Sequence, residues 1–238
     1  MRTFHNVDLI KEIIQNPFKT IGQRNYSLFK AYTIPYNWYT EVQIDENIKS
    51  IADSMPTIEE YVTNQIGENN LRTVLFDYYI GWISEDSREL FDLCIDKINE
   101  YENTYKIDES KYFFKLKPYV NQLDLKTNLK HMFHRPGMYG FEGLSGLRAF
   151  LDGYFRFKEQ HNLNLSEYEN RLSKFIEYWK SKVNKEIPFE TWDRPFRLER
   201  MGTTDFSGPS IQWEFERLEE ILKEELQMEP DDIKTIEK

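Results

Sequence analysis

A single cysteine, Cys94, leaves no intramolecular disulfide to form, and its place between Leu93 and Ile95 in a helical pattern makes it a packed thiol. Histidine is nearly as scarce. His5, His131, His134 and His161 are the only four, which leaves few candidates for a histidine general acid or base. No stretch approaches the roughly 18 uninterrupted apolar residues of a membrane span. The opening MRTFHNVDLIKEII carries Asp8, Lys11 and Glu12 where a signal peptide needs an apolar run, so a cytoplasmic protein without a membrane partner is expected. Basic residues are outnumbered, 31 against 41 acidic, for a net charge of −10. That balance argues against a nucleic-acid binder that works by neutralising phosphates. It suits a basic partner, or charge kept for solubility alone.

Chemical motifs are thin as well. Neither a GxxxxGK phosphate loop nor a GxGxxG turn occurs. His131 and His134 stand three apart and could face one way on a helix, but no third ligand lies nearby and the glutamate of an HExxH pair is missing. Gly143-Leu144-Ser145-Gly146 falls short of a nucleophile elbow, because GxSxG needs its second glycine two residues after the serine and a strand before it. No catalytic residue, metal or cofactor is assigned.

What the chain does have is aromatic bulk, 16% of all residues within a hydrophobic share of 39%, enough for a core built from Phe, Tyr and Trp. Helical periodicity dominates. A helix is expected before Pro17 with Val7, Ile10, Ile13 and Ile14 on one face. Two short helices at 46–55 and 58–66 and a central one over 71–82 come next, then another from Ser87 to Tyr105 with Leu90, Leu93, Cys94, Ile98 and Tyr101 as its stripe. Further helices are expected over 119–131, 144–161, 167–183 and 210–227, the third opened by a capping box in which Ser166 is matched by Glu169. Residues 18–45 crowd seven aromatics and aliphatics around Pro35 with no clean period and read as irregular. The expected class is mostly α, an irregular multi-helix bundle with little or no β-structure. It would form one helical domain over 1–238, or else divide into N-terminal helices over 1–117 and a second helical unit over 118–238.

The second half turns about residues 131–154, HMFHRPGMYGFEGLSGLRAFLDGY. Arg135-Pro136-Gly137-Met138 suits a type II turn, with proline fixing φ at the second position and Gly137 taking positive φ at the third. Leu147, Phe150, Leu151 and Tyr154 then share a helix face. Arg148 and Asp152, four apart, can brace that helix as an ion pair. Alternatively they join Arg135, Tyr139 and Tyr154 in a patch that meets a partner, since Arg and Tyr are favoured interface anchors. Residues 188–209 carry Phe189, Trp192, Phe196 and Phe206 beside Arg194, more aromatic surface than a free loop leaves in water. This loop either folds down as core or offers Trp192 and Arg194 to a partner.

Arg135-Pro136-Gly137-Met138-Tyr139 followed by Leu147-x-x-Phe150-Leu151-x-Gly153-Tyr154 resembles a group of small bacterial proteins associated with immunity genes of polymorphic toxin systems, in which an RPxMY turn precedes an LxxFLxGY helix. Phe175, Trp179 and Trp192 could match the helix and tryptophan segment that follow, so the likeness covers about 130–192. It implies a non-enzymatic cytoplasmic protein that neutralises a cognate protein toxin by direct binding, and a basic toxin would suit the acidity of the chain. The RPGMY string also resembles the start of a gyrase B-type ATPase domain. There the following helix carries an E-x-x-DN arrangement, which LRAFLDGYFRF lacks. A nucleotide-binding protein or hydrolase using the 135–139 turn as a ligand loop is the alternative expectation.

Overall fold

The computed structural model describes residues 12–13, 15–44, 61, 87–105, 112–117, 124–141, 143–184, 191–202 and 211–226. Helix accounts for 79% of them, so the class is mostly α. The chain divides into two compact units, Met1–Gln122 and Leu123–Lys238, close to the 117/118 subdivision. The helices expected over 46–55 and 71–82, nearly all of the one over 58–66, and most of the one preceding Pro17 lie outside the described residues.

In the first unit a one-turn helix, α1 (Pro17–Thr20), leads to α2 (Tyr26–Tyr39). Here the sequence misleads, because residues 18–45 read as irregular while 14 of them form one helix. Asn25 starts α2 by accepting the Leu28 N–H at 2.9 Å. Tyr26, Phe29, Tyr32, Tyr36 and Tyr39 then recur at three- and four-residue steps and are all buried. The stripe was present but interrupted by Pro35, which lies inside the helix and normally costs an interior helix about 3 kcal/mol. Burial of five aromatic rings outweighs that cost. Across from this face packs α3 (Ser87–Tyr105), which buries Phe91, Cys94, Ile98 and Tyr101. Phe29 meets Phe91 edge to face at 5.8 Å. Beyond α2 the chain extends as β1 (Thr40–Ile44) and pairs antiparallel with β2 (Tyr112–Leu116), in register from Thr40 opposite Leu116 to Ile44 opposite Tyr112. This two-stranded ribbon is the only β-structure among the described residues.

The second unit holds α4 (Leu125–His134), α5 (Leu144–Gln160), α6 (Glu167–Ser181), α7 (Asp193–Phe196) and α8 (Ile211–Glu225). Asp124 caps α4 through the Lys126 N–H, and the predicted Ser166/Glu169 capping box opens α6. Helix α5 is central. Leu147, Phe150, Leu151 and Tyr154 are buried as their spacing foretold, but so are Gly146, Arg148, Ala149, Gly153, Phe157 and Lys158, which enclose most of its circumference. On α8, Phe215, Leu218, Ile221 and Leu222 face inward, whereas Ile211, expected on that face, is 42% exposed at the helix start. Residues 191–202 are not loop: α7 runs on into a π-helical turn, Arg197–Met201, that ends at Gly202.

The turn between α4 and α5 also departs from expectation. Residues Pro136–Tyr139 form one 3-10 turn, and the left-handed position belongs to Gly140, at φ +68°, not to Gly137. Pro136 at the first helical position supplies the φ a 3-10 turn needs, so a type II geometry is not adopted. A Cβ on Gly137 would meet nothing within 4 Å. Gly137→Ala should therefore leave stability unchanged or raise it by up to about 1 kcal/mol, by restricting the unfolded chain. Gly143→Ala should be severely destabilising, because Gly143 has φ +128° and its Cβ would lie 2.9 Å from Glu214 Oε2. Urea denaturation of both variants separates the two assignments.

Candidate protein-interaction site

Where α5 begins, Gly143 has no side chain with which to cap the helix, and a carboxylate from α8 takes over. Glu214 Oε2 accepts the Leu144 N–H at 3.0 Å, placing negative charge at the positive end of the helix dipole. Its other oxygen receives Arg197 Nη1 at 2.5 Å. Arg197 also lies 3.4 Å from Ser145 Oγ through Nη2 and 3.9 Å from Asp193 through Nε. Asp193 in turn accepts the Ser145 hydroxyl at 2.8 Å and the Thr191 hydroxyl at 2.6 Å, and stands 3.5 Å from Arg148 Nε. Arg148 reaches Asp152 at 3.4 Å, and Lys180 meets Asp152 at 3.6 Å. Charges thus alternate in sign from Glu214 through Arg197, Asp193, Arg148 and Asp152 to Lys180. They tie α5, α6, α7 and α8 together.

The first four members of this chain of charges are buried, Asp152 lies at its edge and Lys180 is exposed. Arg148, Asp193, Arg197 and Glu214 are all under a tenth exposed. Desolvation pushes the Asp152 carboxyl above its ordinary range and Asp193 adds to this, while Arg148 and Lys180 pull the other way. At the far end of α5, buried Glu169 accepts the Tyr154 hydroxyl, the Ser166 N–H at 2.6 Å and Lys158 Nζ at 3.3 Å. It closes the capping box and neutralises Lys158 in one place. His161, its ring tilted against Phe157 at 4.7 Å, is held below the usual histidine range by burial.

The expected site residues therefore divide. Arg148 and Tyr154 belong to the buried networks, and Asp152 is an ion-pair partner at their edge. Trp192, 3% exposed, packs edge to face on Phe196 at 6.4 Å. Arg148, Tyr154 and Trp192 thus cannot be direct partner contacts, because an anchor has to be reachable; each instead holds the unit together. Arg194 and Arg135 are exposed and Tyr139 is half-buried, stacked on Phe141 at 5.8 Å.

The 135–140 turn is the surface that Arg135 and Tyr139 share. From beneath it is nailed down by buried Pro136 and Phe141, whose ring contacts Phe150 at 6.1 Å and Phe215 at 6.2 Å. From above it offers Arg135, Gly137 and Met138, the last 74% exposed. Arg135 Nη1 lies 3.9 Å from Met138 Sδ. His131 and His134 are exposed at the end of α4, and His134 Nδ1 is 4.0 Å from Glu219. Among the described residues no group of three His, Cys, Asp or Glu side chains could hold a metal ion, and none of the helices there is long and apolar enough to cross a membrane.

Sequence reading missed Asp193, Arg197, Glu214, Lys158 and Glu169 as buried charges. Three of them carried a signal: Glu214, Lys158 and Glu169 stand where the apolar stripes of their helices place an inward residue, Glu214 in step with Leu218 and Ile221, Lys158 with Leu151 and Tyr154, and Glu169 with Leu172 and Ile176. Comparison with known proteins finds no matching family model, no matching curated protein and no matching solved structure.

Two outcomes check the core assignment. Trp192→Ala should cost about 3 to 5 kcal/mol by leaving a cavity beside Phe196, seen as a lowered melting temperature. Asp152 gives a pH signature. Its folded-state pKa is raised, so its contribution to stability is fully present below the unfolded value and is lost as pH rises through the folded one. Relative to Asp152→Asn, whose side chain stays neutral, the parent should therefore lose stability as pH rises above the ordinary carboxylate range. Denaturant titrations of both proteins at rising pH measure the difference, and parallel curves would show that the Asp152 pKa is not raised in the folded state.

Proposed function

We propose that this chain is a non-enzymatic binding protein of the immunity type, which neutralises a cognate protein toxin by direct contact. The observation that carries the reading is the 135–140 turn, the part of the chain that bears the resemblance to immunity proteins. Its sequence is spent on presentation. Pro136 and Phe141 anchor it in the core, whereas Arg135, Gly137 and Met138 point away and contribute nothing to packing. A rigid turn that displays an arginine and a methionine loses little conformational entropy when it is bound, and both residue types are enriched at the centres of protein interfaces.

The test is neutralisation. The reading frame adjacent to this gene, expressed alone in a bacterial host, should arrest growth, and co-expression of the full chain should restore it. Arrest that persists despite soluble chain, or an adjacent product with no toxicity, refutes the function.

A further inference from the structure

We infer that residues 135–138 dock against an acidic face of the partner protein, with Arg135 and Met138 as anchors and Gly137 as the point of closest backbone approach. The inference rests on the partner-binding function above and gives that contact its chemistry.

The first support is an arginine that, among the described residues, has no carboxylate partner. Arg24 pairs with Asp92, Arg148 with Asp152, Arg156 with Glu159, Arg171 with Glu167, Arg197 with Glu214, Arg200 with Glu225 and Arg217 with Glu220. Arg135 bonds only to a thioether among the described residues, although the chain carries ten more acids than bases. Glu219, the acid that faces the end of α4, is engaged by Lys223 at 2.8 Å and lies 4.0 Å from His134. An exposed guanidinium beside an exposed thioether is suited to a bidentate carboxylate with an apolar neighbour.

The second support is local charge. Between residues 124 and 140 the sequence holds Lys126, Lys130, Arg135 and two histidines against one acid, Asp124. The net charge of −10 can still speed encounter with a basic protein at long range, but contact at the turn would be with acid. Third, Gly137 has no conformational reason to be glycine: its φ is not positive, and a Cβ there would meet nothing. Glycine at such a place leaves room for another backbone.

The experiment uses the full chain and the catalytically silenced product of the adjacent reading frame, with affinity measured by calorimetry at low and high salt. Arg135→Glu and Met138→Asp should each weaken binding at least tenfold, and Gly137→Phe should weaken it similarly. Arg135→Lys should retain part of the affinity, Arg156→Glu should match the parent, all should melt as the parent does, and binding should weaken as salt rises. Unchanged or tighter binding by Arg135→Glu overturns the inference while leaving the function standing. Failure of the parent itself to bind removes both. Parent binding to a single-stranded oligonucleotide that is lost in Arg135→Glu also overturns it, because the turn would then be reading phosphate.

Discussion

The second unit depends on one carboxylate placed where a helix has no cap of its own. Gly143 must be glycine twice over, for its φ of +128° and because Glu214 occupies the space of a side chain. Having no side-chain oxygen, it cannot satisfy the first N–H groups of α5. Glu214 does so from α8, and its charge is balanced by Arg197 from the π turn. A charge-assisted hydrogen bond of this kind contributes about 1.5 to 3 kcal/mol net. Loss of one member has the larger effect, because an uncompensated buried charge costs about 3 to 5 kcal/mol. Each ion in the series from Glu214 to Asp152 therefore fixes the next. The register of α7 and α8 against α5 is set by bringing these ion pairs together at once.

Such a series is weak evidence for stability in itself, since well-packed apolar residues of similar volume often do as well or better. Its effect here is directional. Apolar faces tolerate sliding and rotation, whereas Arg197 must reach Ser145, Asp193 and Glu214 together. The π turn fits this role, because a wider helical turn changes the direction of the residues it carries, and Arg197 is the first of them.

How much of this was legible depends on which physics leaves a periodic trace. Helices α3, α5, α6 and α8 and the capping box were readable because amphipathic spacing and the Ser166/Glu169 pair are local. Helix α2 was not, since Pro35 masked a stripe that tertiary burial makes worth keeping. The turn failed for a different reason. Proline at the second position of a turn is compatible with both 3-10 and type II geometry, and the choice falls to Gly140, beyond the Arg135–Met138 tetrapeptide. For the site, Arg148 and Asp152 could be paired by spacing alone. Asp193 and Arg197 could not, because their partners on α5 and α8 are distant in sequence. Glu214, Lys158 and Glu169 were visible as charges standing on apolar stripes, a pattern that signals a buried ion with a partner somewhere else in the fold.

Arginine is used in two opposite ways within this unit, and the contrast bears on function. Arg148 and Arg197 are buried among carboxylates, where the fixed fork of the guanidinium binds several acceptors and its value is structural. Arg135 stands at an exposed turn whose foundations, Pro136 and Phe141, lie elsewhere in the packing. The groups that hold the turn and the groups it displays are thus different residues. That separation lets the exposed tip vary in sequence while the core beneath it stays intact.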